Sequence, residues 1–120
     1  FFLGYREDIP TVMAGLDLLV IASTRTEGIP QVALQSMVMG VPIVGTNIGG
    51  VPEVLFPSRA GLVVPSKNSS ALANGIRTLL KNEKIRERMG RMGQEYVSKN
   101  FSLEIMMRKT LFLYEEAISD

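Results

Sequence analysis

The stretch Asp17-Leu18-Leu19-Val20-Ile21-Ala22, the polar residues 23–28, the apolar residues 30–39 and then Pro42-Ile43-Val44-Gly45 decide the architecture. The first run is continuous and β-branched at its centre, which suits a strand buried on both faces, as in parallel sheets. Pro30 suits the first turn of a helix through Met39, with Gly40 as its stop. Val32, Ala33, Leu34, Met37, Val38 and Met39 leave that helix apolar nearly all round, so it is expected to be buried. Pro42-Ile43-Val44-Gly45 reads as the next strand.

Working outward, Phe1-Phe2-Leu3 followed by Gly4-Tyr5 reads as a short buried strand entering a turn. Asp8 can cap a short helix with Pro10 in its first turn, ending near Gly15. Downstream, Gly49-Gly50 punctuates, Pro52-Glu53-Val54-Leu55 reads as one helical turn, and Gly61-Leu62-Val63-Val64-Pro65 as a buried strand. Three helical stripes follow. They are Leu72, Ile76 and Leu79 behind Asn68-Ser69-Ser70; Ile85, Met89, Met92 and Tyr96; and Leu103, Met107, Leu111, Tyr114 and Ile118 behind Ser102. Each keeps a 3.6-residue period. Strands alternating with helices imply an α/β domain with about four short parallel strands and helices on the faces of the sheet. Its ligands belong beyond the carboxyl ends of the strands.

Composition narrows the chemistry. The 120 residues hold no Cys and no His, which excludes disulfides, thiolate or imidazole metal sites and histidine-based nucleophile pairs. A net charge of +1 with 21% charged residues gives no nucleic-acid footprint. Residues 1–75 carry four Lys and Arg against five Asp and Glu, and residues 76–120 carry nine against seven. The basic run Lys81, Lys84, Arg86, Arg88 and Arg91 reads as a solvated face laced with local ion pairs, or as a face attracted to an anionic membrane surface. No apolar stretch approaches the roughly 20 residues of a membrane span. The start on Phe1 without a Met suggests a fragment, whose exposed edge would favour dimerisation.

Glu27-Gly28-Ile29-Pro30 stands between a buried strand and a helix start, where free amides and the positive dipole end suit an anion. Gly28 permits close approach of a ligand. Glu27 can accept hydrogen bonds from hydroxyls, or it simply complements the helix dipole. Gln35 shares a helical face with Gly28 and Gln31, and a polar group on an otherwise buried helix needs a partner. Either an internal hydrogen bond or a ligand in a cleft would serve. Gly49-Gly50 with Glu53 reads as a structural turn or as a second site element. Phosphate-loop and G-x-G-x-x-G patterns are absent from the sequence. The Met residues read as core filling.

The string from Glu27 through Val44, with Gly45-Thr46-Asn47-Ile48-Gly49-Gly50-Val51-Pro52-Glu53-Val54 and residues 61–65, resembles the donor-site signature of family 4 glycosyltransferases (glycosyl transferases group 1). Phe2-Leu3-Gly4-Tyr5 and Ala14-Gly15-Leu16-Asp17-Leu18-Leu19-Val20 are similar to the family's upstream passages. The resemblance covers essentially the whole chain. It implies a Rossmann-like parallel sheet within the C-terminal half of a GT-B fold, with residues 1–120 as part of the nucleotide-sugar donor domain. The implied activity is retaining, hexosyltransferase-like transfer from a nucleotide-sugar, without a metal or other cofactor, in cell-envelope polysaccharide synthesis.

By the same resemblance, Glu27 holds sugar hydroxyls, and Gly28, Ile29 and Pro30 face the sugar and diphosphate. Gln35 stands where the family has a glutamate that bonds the ribose, and Gly4, Tyr5 and Arg6 lie near the base. No catalytic residue falls within these 120 positions. The family's Arg/Lys pair and its acceptor domain lie outside them, so the chain alone is expected to be inactive. The implied partners are the nucleotide-sugar, the N-terminal acceptor domain and, peripherally, the inner face of the membrane, with a cytoplasmic location. A sugar-nucleotide epimerase on the same fold, or a non-catalytic interaction module, remains an alternative.

Overall fold

The computed structural model describes residues 1–26 and 28–119. The elements in order are α1 (Ile9–Ala14), β1 (Leu19–Ile21), α2 (Gln31–Val38), β2 (Ile43–Thr46), α3 (Gly50–Ser58), β3 (Gly61–Val64), α4 (Ser69–Leu80), α5 (Glu83–Asn100) and α6 (Leu103–Ser119). The three strands form one parallel sheet in the order β1-β2-β3, with Leu19 opposite Ile43 and Val44 opposite Leu62. This is an α/β, Rossmann-like sheet with flanking helices.

Strand parity sorts the core into two layers. Ile21 and Ile43 point to one face, where they pack with Ala33 and Met37 of α2, with Val51, Val54 and Leu55 of α3, and with Val97 of α5. Val44 and Val64 point to the other, against Leu79 and the flanking Leu72 and Ile76 of α4. α5 serves both layers, giving Ile85 and Met89 to the second and Val97 to the first. The Asn68 and Asn82 side chains accept hydrogen bonds from the Ala71 and Ile85 amides and so cap α4 and α5.

Several expectations change. Phe1-Phe2-Leu3 is not a strand. These residues are fully or largely exposed, because no neighbouring strand among the described residues offers them a ladder. The sheet therefore has three strands rather than four. β1 is an edge strand with Val20 37% exposed, so only β2 is buried throughout. α2 presents one side to the core and leaves Val32 and Val38 on the surface. Asp8 precedes α1 without a side-chain capping bond, since its carboxylate is held by Arg6.

The segment read as one turn after Gly50 is a nine-residue helix. Proline is tolerated at its third position, where no amide donor is required, and Pro57 falls in its last turn. The α6 stripe is uncovered: Leu103, Met107, Leu111, Tyr114 and Ile118 are all exposed.

The basic run is also revised. Arg86 donates to the Leu79 and Leu80 carbonyls at 2.7 and 2.8 Å, closing the end of α4. Among the described residues neither Glu83 nor Glu87 forms an ion pair, so the local pairing expected of this face is not seen there. Among the described residues, no helix is long and apolar enough to cross a membrane.

Candidate functional site

Three parallel strands deliver three loops to one edge of the sheet, and these loops are tied to one another. Thr46, the last residue of β2, is buried. Its hydroxyl donates to the Ser23 carbonyl at 2.7 Å, with the Ile21 carbonyl at 3.3 Å as the weaker contact. The Asn47 amide donates to the Val64 carbonyl at 2.8 Å. The loop after β1 is thus anchored to β2, and the loop after β2 to β3. Thr46 was not singled out from the sequence. A hydroxyl ending an otherwise apolar strand was the available signal, since a buried donor must find an acceptor.

The loop after β1 runs into α2, which begins at Gln31 with Pro30 at the cap, one residue ahead of the expected first turn. Pro30 has no side-chain donor or acceptor, so the cap residue makes no side-chain bond to the amides of that turn. α3 likewise starts behind Gly49, whose φ of 55° suits a residue without a side chain, and that residue can offer no side-chain cap. These two starts meet: Gly50 of α3 packs directly on the Gly28–Ile29 backbone. Gly28 itself borders open space, with nothing within 4 Å of where a side chain would begin. Ile29 is partly exposed. Two helix starts and their dipoles therefore converge where the strands end, a setting that favours a negatively charged ligand.

Glu27 lies outside the described residues. The Gln35 side chain is exposed and forms no hydrogen bond with the described residues, so the internal-bond reading does not hold among them. It lines an apolar groove of about 150 Å³ with Ile9, Pro10, Met13, Val38 and Met39. The segment Gly4-Tyr5-Arg6 leads into α1, whose first turn forms one wall of that groove. Gly4 has φ 67° and Tyr5 is largely exposed. Arg6 donates through Nε and Nη2 to the two carboxylate oxygens of Asp8. The guanidinium beside Asp8 holds its carboxyl below the usual carboxylate range. No group of three acidic side chains that could hold a metal occurs among the described residues.

Comparison with known proteins agrees with this layout. A family model described as glycosyl transferases group 1 matches residues 1–96. The chain is 29% identical over 119 residues to the N-acetyl-alpha-D-glucosaminyl L-malate synthase of Bacillus anthracis, covering 99% of this chain and 31% of that protein. It superposes on the crystal structure of Anabaena Alr3699/HepE in complex with UDP with a TM-score of 0.86 and 29% identity, over 94% of this chain and 31% of the other. That protein has also been solved with UDP-glucose. The C-terminal domain of a glycosyl transferase group 1 family protein (LpcC) from Francisella tularensis matches with a TM-score of 0.73 and 26% identity, over 86% of this chain and 52% of that one. The chain spans about a third of the length of the first curated relatives it matches. With four-fifths of its residues inside the family match, and with the solved C-terminal domain of a glycosyl transferase group 1 family protein sharing its fold, the chain belongs to the glycosyl transferases group 1 family.

Proposed function

We propose that residues 1–120 form part of the C-terminal, donor-binding domain of a retaining, hexosyltransferase-like family 4 enzyme of GT-B architecture. The enzyme would move a sugar from a nucleoside-diphosphate sugar to an acceptor held by a separate N-terminal domain. The observation that carries this reading is the meeting of the α2 and α3 starts beside the open Gly28–Ile29 backbone. Support comes from the match to a protein solved with UDP-glucose and from the match to an isolated C-terminal domain.

Each residue has a part in this reading. Glu27 accepts hydrogen bonds from sugar hydroxyls. The amides around Gly28, Ile29 and Pro30 face the sugar and diphosphate, where fixed dipoles stabilise the charge that grows on the leaving group. Gln35 bonds the ribose, and Gly4, Tyr5 and Arg6 border the base. An amide at position 35 keeps one acceptor and gains donors, so its bond to ribose is weaker than a carboxylate's. No metal and no other cofactor takes part. These residues bind and orient, and alone they do not turn over. The whole enzyme works in the cytoplasm, peripherally at the membrane, in the synthesis of envelope polysaccharide.

Calorimetric titration of this chain with UDP-glucose tests the donor assignment. Hydrogen bonds to a charged group contribute roughly 1.5–3 kcal/mol. Glu27→Gln is therefore expected to weaken binding by about tenfold. Equal affinity in the two proteins would reduce the glutamate to a helix-end charge. For the whole enzyme, the anomeric configuration of the product decides the stereochemistry.

A further inference from the structure

Gly49 and Gly50 are adjacent, but they are glycines for different reasons. Gly49 has φ 55°, a conformation that side chains disfavour. Gly50 does not occupy the left-handed region, so its backbone would accept alanine, the better helix former. What excludes a side chain at Gly50 is contact. A Cβ there would stand 2.5 Å from the Ile29 nitrogen, 2.6 Å from the Ile29 Cα and 2.7 Å from the Gly28 carbonyl carbon. Ordinary contact begins at 3.4 Å, so the deficit is roughly 1 Å. The atoms met are backbone and cannot rotate away. The contrast with Gly45 is direct, because a Cβ there meets the side-chain ends of Val51 at 2.5 Å and Leu55 at 3.0 Å. Gly28 completes the picture, since its own Cβ would meet nothing within 4 Å. The loop is therefore supported by Gly50 and open at Gly28.

We infer that Gly50 is a positioning residue for the donor loop: its bare Cα lets the first turn of α3 bear on the Gly28–Ile29 backbone and sets where that loop's amides stand. The inference rests on the donor-site reading for its consequence, but the contact itself does not. Misplacing a positioning group by about 1 Å can cost roughly 10²-fold. The loss should fall on the sugar and diphosphate end of the donor and spare the nucleoside end.

The test uses the 120-residue chain, wild type and Gly50→Ala, with amide resonances assigned and UDP-glucose and UMP titrated in parallel. The expected result is displaced Gly28 and Ile29 resonances, UDP-glucose binding weakened at least tenfold, and UMP binding changed less than twofold. Gly45→Ala, which crowds the same helix through side chains only, is expected to lower Tm without that split between ligands. Unmoved loop resonances in Gly50→Ala, or equal losses for both ligands, would overturn the proposal. If wild type binds neither ligand, the donor-site reading fails, and the loop resonances still decide the positioning role. If Gly50→Ala does not fold, the wild type decides. A nuclear Overhauser contact between the Gly50 Hα protons and the Ile29 amide is expected, and its absence overturns the inference.

Discussion

Gln35→Glu separates stability from recognition at one position. The side chain is exposed in the middle of α2 and forms no hydrogen bond with the described residues, so the substitution breaks none of their bonds. Its neighbours three and four residues away are Gln31, Val32, Val38 and Met39, none charged, so no helical ion pair is gained or lost. Gln and Glu have similar helix propensity. Stability should hold within about 0.5 kcal/mol, as for surface positions generally. Recognition should change. A neutral hydrogen bond contributes about 0.5–1.5 kcal/mol and one to a charged group about 1.5–3, so a carboxylate facing ribose gains roughly 1 kcal/mol. That is about fivefold in Kd. The assay is calorimetric titration of both proteins with UDP and with its 2′,3′-dideoxy analogue, alongside thermal unfolding. The gain should appear with UDP and vanish with the analogue. A fall in Tm of more than about 5 °C would contradict the exposed environment of Gln35. An equal gain for both nucleotides, or none for either, would refute the ribose assignment.

Thr46→Val keeps the shape but removes the hydroxyl that holds the loop after β1; it should cost about 1–3 kcal/mol in urea unfolding. The Asp8 carboxyl, held low by Arg6, contributes stability that is present above the ordinary carboxylate pKa and is lost as pH falls through its lowered folded value. A carboxyl-carbon titration should show that low midpoint, and Arg6→Gln should return it to the ordinary range. The exposed apolar side of α6 and the free edge of β1 should drive self-association of the isolated chain. Sedimentation showing only monomer at high concentration would contradict that.

The central elements were legible because their chemistry is local. Ile43 to Gly45 lies between Pro42 and a polar stretch, and Leu62 to Val64 between Gly61 and Pro65, so each could be read as a strand; the burial expected of both is met in β2, whereas β3 stands at the other sheet edge and is fully buried only at Val64. Phe1-Phe2-Leu3 carries the same apolar signal, yet a strand needs a neighbour and composition does not say where one stands. α2 illustrates a related limit. Its apolar residues surround the helix, but the sheet and α5 cover one side, which leaves Val38 and Gln35 outward. Asp8 carried a capping signal that Arg6 captured instead, because a charged fork-to-carboxylate pair outcompetes a single capping bond. The candidate loop was placed correctly at the carboxyl edge, while its supports, Thr46 and the Gly50 contact, depend on spacing between chain segments more than 20 residues apart.

Those supports share an origin, and that explains how an exposed loop can be held in place. Both come from β2 and the helix that follows it: the Thr46 hydroxyl grips the loop just after β1, and Gly50 bears on it just before α2. β2 is the strand paired on both sides and buried along its whole length. Its displacement would require breaking two ladders and uncovering both core layers, so it is the least mobile reference the sheet offers. The loop after β1 is tied to that reference at two points, the Ser23 carbonyl and the Gly28–Ile29 backbone. This is the condition for ligand recognition by backbone donors: they must be fixed before the ligand arrives, yet remain open to it. The open space at Gly28 and the closed contact at Gly50 are the two halves of that condition, met by the same residue type for opposite reasons.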